Sequence, residues 1–173
     1  GVTRLNISSE NENIQEIEKI KPYVIYVGSA YPHKNLEKLC EAFKNINDLN
    51  LVLVGKKDFF YNRLEKDFKN LINKKIFLTD YLDDKDLAIY LKHALFYVFP
   101  SLYEGFGLPP LEAMQYGLPI LSSNSSCLPE ILKDSVEYFN PNSVEDIENA
   151  INKLKNNPQR LEELKNIGLL FYR

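Results

Sequence analysis

Short runs of apolar residues alternate with stretches in which apolar side chains recur every three or four positions, and this rhythm begins at Tyr23. Tyr23 to Val27 (YVIYV) reads as a strand buried on both faces, and Leu51 to Val54 (LVLV) as a second, ended by Gly55. Between them, Asn35 to Asn47 places Leu36, Leu39, Cys40, Phe43 and Ile46 on one helical face. Phe59 to Ile72 repeats the helical pattern through Leu64, Phe68, Leu71 and Ile72. Ile76 to Leu78 is a short third strand, and Asp83 is placed to cap a helix reaching Lys92.

Leu95 to Phe99 (LFYVF) is the next strand, followed by a helix from Pro109 to Tyr116. Pro109 and Pro110 fit its first turn, where a missing N–H costs nothing, and Gly117 closes it in the left-handed conformation. Pro119 to Ser122 and Glu137 to Phe139 read as strands around a short helix at Leu128 to Leu132. A helix capped by Ser143, with Asp146 three residues on, completes the alternation, and Pro158 is expected to stop it. The pattern predicts an α/β fold, a doubly wound parallel sheet of about six strands, Rossmann-like. Residues 1–21 are polar and Asn/Glu-rich, which predicts a linker or loosely packed lead-in ahead of one domain over 22–173.

Composition narrows the partners. Apolar residues make up 45% of the 173, enough for one cored domain, and 21 basic and 24 acidic residues are interspersed for a net charge of −3. That balance offers no electrostatic footprint for nucleic acid or a membrane surface. No apolar run approaches the ~20 residues needed to span a bilayer, and residues 1–20 lack a secretory signal, so the chain reads as cytoplasmic. Cys40 lies on the apolar helical stripe and reads as core, whereas Cys127 lies in a polar loop and reads as accessible; neither has CxxC spacing.

The chemistry concentrates in Pro100-Ser-Leu-Tyr-Glu-Gly-Phe-Gly-Leu-Pro-Pro-Leu-Glu112, between a strand and a helix. Gly105 and Gly107 let the backbone come close to a ligand, and the free N–H groups of a helix start attract phosphate or sugar oxygens. Glu104 and Glu112 suit a different role, because each carboxylate accepts two hydrogen bonds from neighbouring hydroxyls, as on a pyranose or ribose. Taken singly these residues are ordinary α/β furniture, since acids and glycines are common at helix starts. The nine-residue unit EGFGLPPLE, however, resembles the Glu, seven residues, Glu motif of family 4 retaining glycosyltransferases, which carry two Rossmann-like domains in the GT-B arrangement.

That resemblance implies the C-terminal, donor-binding half of such an enzyme, with the N-terminal acceptor domain and the final crossover helix absent. Gly28-Ser-Ala-Tyr-Pro-His-Lys-Asn35 is similar to the family's glycine, variable loop, Lys-Asn segment, which gives Lys34 the donor's diphosphate; many members add an Arg there, where this chain has Ser29 and His33. Thr79 to Asp84 resembles the loop against which the nucleotide base lies, with Tyr81 and Leu82 as contacts. The implied donor site is therefore Gly28, Lys34, Tyr81, Leu82, Ser101, Glu104, Gly105, Phe106, Gly107, Leu108 and Glu112, with Lys34 and Glu104 as its catalytic residues. Glu112 takes the ribose and Glu104 the sugar.

The implied substrate is a nucleotide-activated hexose, GDP-mannose ahead of UDP-sugars, and the implied partner a glycan or lipid-linked acceptor held by the missing domain, which would also make any membrane contact. No cofactor and no metal are implied. Asp84-Lys-Asp86 spells a DxD, yet cap and dipole roles at a helix start explain it better, and Glu130 likewise. A nucleotide-sugar binding module without turnover and a GT-B nucleotide-sugar epimerase are the alternatives. Dinucleotide and P-loop readings fail, because Pro110 stands where a third glycine is needed and Gly55-Lys56 lacks an upstream glycine.

Overall fold

The apolar runs become six parallel strands, β1 (Tyr23–Val27), β2 (Asn50–Val54), β3 (Ile76–Thr79), β4 (Tyr97–Phe99), β5 (Ile120–Ser123) and β6 (Glu137–Phe139). The computed structural model describes residues 10–106 and 108–173. Parallel neighbours need crossovers long enough for a helix, and the helices between strands supply them: α2 (Leu36–Ala42), α3 (Phe59–Asp67), α4 (Asp84–His93), α5 (Leu108–Met114) and α6 (Leu128–Leu132). The sheet order is β3-β2-β1-β4-β5-β6. The chain winds outward from β1 to β3, then returns to the other side of β1, so the order reverses between β1 and β4, the position at whose carboxyl ends ligands bind in open α/β sheets.

Why these runs sit centrally follows from their burial. Tyr23 to Tyr26, Leu51 to Leu53 and Phe96 to Phe99 are almost wholly excluded from water, as strands covered by helices on both faces must be. Four helices begin on side-chain caps: Asp58 accepts from Tyr61 N, Asp83 from Asp86 N, Ser143 from Asp146 N and Asn157 from Arg160 N, at 2.9 to 3.1 Å. The expected caps at Asp83 and Ser143 are thus present, although the Asp146 carboxylate reaches back to Asn140 N rather than to its own cap. Gly117 takes the left-handed φ of 68° expected of it.

Three expectations need correction. Residues 10–20, read as part of a polar lead-in, form a helix, α1 (Glu10–Ile20), that packs on α4 through buried Ile17 and Ile20. A short polar helix is marginal alone, and tertiary packing supplies what its sequence lacks; Asn13 adds a hydrogen bond to Asp86 Oδ1 at 2.6 Å. Residues 1–9 of the expected lead-in lie outside the described residues. Pro158 does not stop the structure after α7 (Val144–Lys155) but opens α8 (Pro158–Tyr172), standing in the first turn behind the Asn157 cap. α8 packs on α5 and α7, and Arg160 Nε lies 2.5 Å from Glu137 Oε1 at β6. Lastly, α2 and α3 end at Ala42 and Asp67, short of Asn47 and Ile72; Phe43, Ile46, Phe68 and Ile72 still join the core from the turns that follow.

Buried phenols fix the end of the central strand. The Tyr97 hydroxyl donates to Val27 O at 3.0 Å and receives Val27 N–H at 3.2 Å, continuing the β1–β4 ladder beyond its paired residues. Tyr26 donates to Ser29 O and Tyr61 to Gly28 O, both at 2.8 Å. Burial pushes the phenols of Tyr23, Tyr26, Tyr90 and Tyr97 well above the usual tyrosine value. A value raised by folding means that their contribution is complete below pH ~10, the unfolded value, and is lost as pH climbs beyond it. Alkaline titration of phenolate absorbance is expected to leave these four silent until the chain unfolds, with stability falling only above pH ~10. Their titration in the folded chain near pH ~10 would contradict this burial.

Candidate functional site

The loop after β1 starts at Gly28, whose φ of 152° and tight surroundings exclude a side chain: a Cβ would lie 2.7 Å from the Tyr26 hydroxyl oxygen. The chain then makes a 3₁₀ turn, Pro32–Lys34, that ends on Asn35 in the left-handed conformation, φ 63°. Asn35 is buried, and its Nδ2 donates to Pro100 O at 3.0 Å and Pro141 O at 2.8 Å. One amide therefore ties together the loops after β1, β4 and β6. Leu102 N adds a hydrogen bond to His33 O at 2.8 Å, so the loops after β1 and β4 face each other across the reversal of strand order.

That closure brings Lys34 to Glu104. Lys34 Nζ lies 2.5 Å from Glu104 Oε1, which also accepts from Ser101 Oγ at 2.8 Å. The two side chains are only 15% and 11% exposed, and the ammonium sits 5.7 Å from the centroid of the Phe99 ring. Two opposite charges are thus withdrawn from water as a hydrogen-bonded pair, with fully buried Ser101 donating to the same carboxylate oxygen as Lys34. An ammonium has three donor hydrogens, so Lys34 can keep Glu104 and still offer N–H to a phosphate oxygen; among the described residues, Glu104 Oε2 has no partner and can accept from a hydroxyl.

Other expected residues are placed as follows. Gly28, Tyr81 and Leu82 line one cleft of about 430 Å³ above the carboxyl ends of β1, β2 and β3, together with Tyr31, Lys56 and Asp84. Tyr81 is 76% exposed at the cleft wall, while Leu82 is buried. Lys34 and Glu104 are not in that lining; the Gly28-to-Lys34 loop connects the two places. Gly105 is open, Phe106 is exposed, and Glu112 is exposed one turn into α5. Leu108 is the first residue of α5, and Gly107 lies outside the described residues.

Asp84 and Asp86 stand in the first turn of α4, where Asp86 N–H satisfies the Asp83 cap and its carboxylate takes Asn13. Among the described residues, no three His, Cys, Asp or Glu side chains gather as a metal centre needs, and no helix is long and apolar enough to cross a membrane. Sequence reasoning missed several supports. It placed Asn35 only at a helix start, not as the tie between three loops. It did not assign the buried tyrosines, nor Ser126 and Cys127, which reach the Glu104 carbonyl oxygen at 3.2 and 3.1 Å. A Ser-Ser-Cys run in a polar loop carries no signal of such contacts, because the partners are about 22 residues away in sequence.

With this geometry in view, comparison with known proteins places the chain. The sequence profile of the family described as glycosyl transferases group 1 matches residues 8–169. The chain is 33% identical over 153 residues to the serotype-specific mannosyltransferase WbdA of Escherichia coli, covering 83% of this chain and 18% of that protein. It is 28% identical over 163 residues to the O-antigen chain mannosyltransferase RfbU of Salmonella typhimurium, covering 93% and 46%. It therefore spans less than half the length of either relative. Among solved structures, sucrose-phosphate synthase of Thermosynechococcus elongatus superposes with a TM-score of 0.80 at 26% identity, over 94% of this chain and 43% of that one. HepE of Anabaena in complex with UDP and glucose shares the fold at a TM-score of 0.81 and 16% identity, over 95% and 48%. A six-stranded parallel sheet, a strand-order reversal at the site and a family profile spanning nearly every residue agree: the chain belongs to the glycosyl transferases group 1 family and has the Rossmann-like C-terminal domain architecture of GT-B glycosyltransferases.

Proposed function

We propose that this domain binds the nucleotide-sugar donor of a retaining, metal-independent glycosyltransferase, with GDP-mannose as donor, in the cytoplasmic assembly of a surface polysaccharide. The observation that carries the reading is the buried Lys34–Glu104–Ser101 cluster at the point where the strand order reverses. Similarity to WbdA and RfbU, both named as mannosyltransferases, favours mannose. HepE, solved with UDP and glucose, supports a nucleotide site in this fold and keeps UDP-sugars as the competing donors.

In this reading, the base lies in the cleft beside Tyr81 and Leu82, and Glu112 accepts from the ribose hydroxyls. The diphosphate meets Lys34 and the amides at the start of α5, Phe106 to Leu108. As the bond between the anomeric carbon and the phosphate oxygen breaks, negative charge grows on the departing nucleoside diphosphate, and a pre-placed ammonium with helix-start amides is what stabilises it. Glu104 holds sugar hydroxyls through its free oxygen while Ser101 and Lys34 fix its orientation. An acceptor hydroxyl forms the new bond to the anomeric carbon and gives its proton to the departing diphosphate; the acceptor, a glycan or lipid-linked saccharide, binds on a part of the enzyme outside this span. The bare domain is then a donor-binding module without turnover.

Thermal denaturation of the chain with GDP, UDP, ADP and their sugars tests the assignment, because a ligand that binds the folded state alone raises its melting temperature. GDP-mannose is expected to give the largest rise; no rise with any nucleotide refutes the reading. By calorimetry, Lys34→Ala is expected to weaken donor binding at least tenfold, about 1.4 kcal/mol, with Lys34→Arg recovering part of it. Unchanged affinity in Lys34→Ala would remove Lys34 from the site.

A further inference from the structure

We propose that Ser126 and Cys127 form a backbone clamp that turns the amides of Gly105 and Phe106 toward the donor, making them positioning residues for the diphosphate. The inference rests on the donor-site reading above. The Ser126 hydroxyl donates to Glu104 O at 3.2 Å and faces Glu104 N at 3.5 Å, while the Cys127 thiol donates to Glu104 O at 3.1 Å and to Gly105 O at 3.6 Å. The Glu104 carbonyl is therefore held against the loop after β5, and the Gly105 carbonyl lies beside the same thiol, whose one hydrogen the two oxygens share.

Peptide planarity gives this its consequence. Both peptides are trans, and in a trans peptide the N–H points opposite to the C=O. With the carbonyls of Glu104 and Gly105 fixed on Ser126 and Cys127, the N–H groups of Gly105 and Phe106 must point away from that loop. Among the described residues neither N–H has an acceptor. Adjacent, unspent amides that face one way are an anion-binding arrangement, and in the donor-site reading the anion is the diphosphate. Among the described residues, a Cβ at Gly105 would have no atom within 4 Å.

The backbone of Ser126 supports a purpose beyond the turn. Its φ is 58°, a left-handed conformation in which glycine or asparagine is the comfortable choice and serine is not. The hydroxyl there bonds Glu104, which glycine could not do. The other side of Glu104 is held through its carboxylate by Lys34 and Ser101, so the residue is gripped at both ends. The sugar-binding acid and the phosphate-binding amides are thereby fixed relative to each other.

Ser126→Gly separates the two roles, since it keeps the left-handed turn without strain and removes the hydroxymethyl group that carries the donor. Calorimetric titration of the 173-residue chain with GDP-mannose and with UDP-glucose is the assay. Against the nucleotide that binds the wild type, Ser126→Gly and Cys127→Ala are each expected to lose roughly threefold to tenfold in affinity at an unchanged urea midpoint, as for one lost hydrogen bond. Cys127→Ser, which restores a donor, is expected to recover most of that loss. Wild-type affinity in both Ser126→Gly and Cys127→Ala overturns the clamp and leaves the donor site standing. An affinity loss that appears only with a lowered urea midpoint, or that Cys127→Ser fails to recover, overturns it too, as a general packing role. A wild-type chain silent toward both nucleotides overturns the donor-site reading and the clamp with it.

Discussion

Lys34 and Glu104 leave water together, and the arrangement of the site depends on that pair. A charge withdrawn this far costs several kcal/mol of hydration, and only a close partner with further hydrogen bonds offsets it. The pair meets those terms: 2.5 Å between Nζ and Oε1, Ser101 on the carboxylate, and the Phe99 ring beneath the ammonium. Well-packed apolar residues of the same volume would serve stability as well or better, so a buried ion pair is weak evidence of a stabilising role. What an apolar replacement could not do is offer N–H to a phosphate and a carboxylate oxygen to a sugar at the same spot.

The rest of the fold can be read as what holds those two charges at hydrogen-bonding distance although 70 positions separate them. Parallel strands bring the carboxyl ends of β1 and β4 side by side, at the reversal of strand order where open α/β sheets bind ligands. Tyr97 extends the β1–β4 ladder, Tyr26 and Tyr61 anchor the turn at Gly28 and Ser29, and Asn35 ties the loops after β1, β4 and β6. A lysine on a free loop would explore many rotamers. One delivered by a pinned turn has lost that entropy before any ligand arrives.

How far this was legible in the sequence varies by element for physical reasons. YVIYV and LVLV became central strands because burial on both faces needs unbroken apolar runs, and Asp83, Ser143 and Gly117 did as their local chemistry dictates. Pro158 misled because a proline after a helix and a proline in the first turn of the next look alike in sequence; the Asn157 cap decides between them. The helix over Glu10–Ile20 is polar enough to pass for a lead-in, and its partner α4 is some 70 residues away. Lys34 and Glu104 were each readable as candidates beside a strand end and a helix start, but their contact was not, since it exists only once β4 pairs with β1. Ser126 and Cys127 touch the site through backbone carbonyls, which carry no residue-type signature.

The most direct test of the central claim is a crystal structure of the chain with GDP and mannose bound. It is expected to show Lys34 Nζ within about 3 Å of a phosphate oxygen and Glu104 accepting from a sugar hydroxyl, with Ser101 still on the carboxylate. A nucleotide bound elsewhere, with the Lys34–Glu104 pair intact and touching no ligand, would contradict the account.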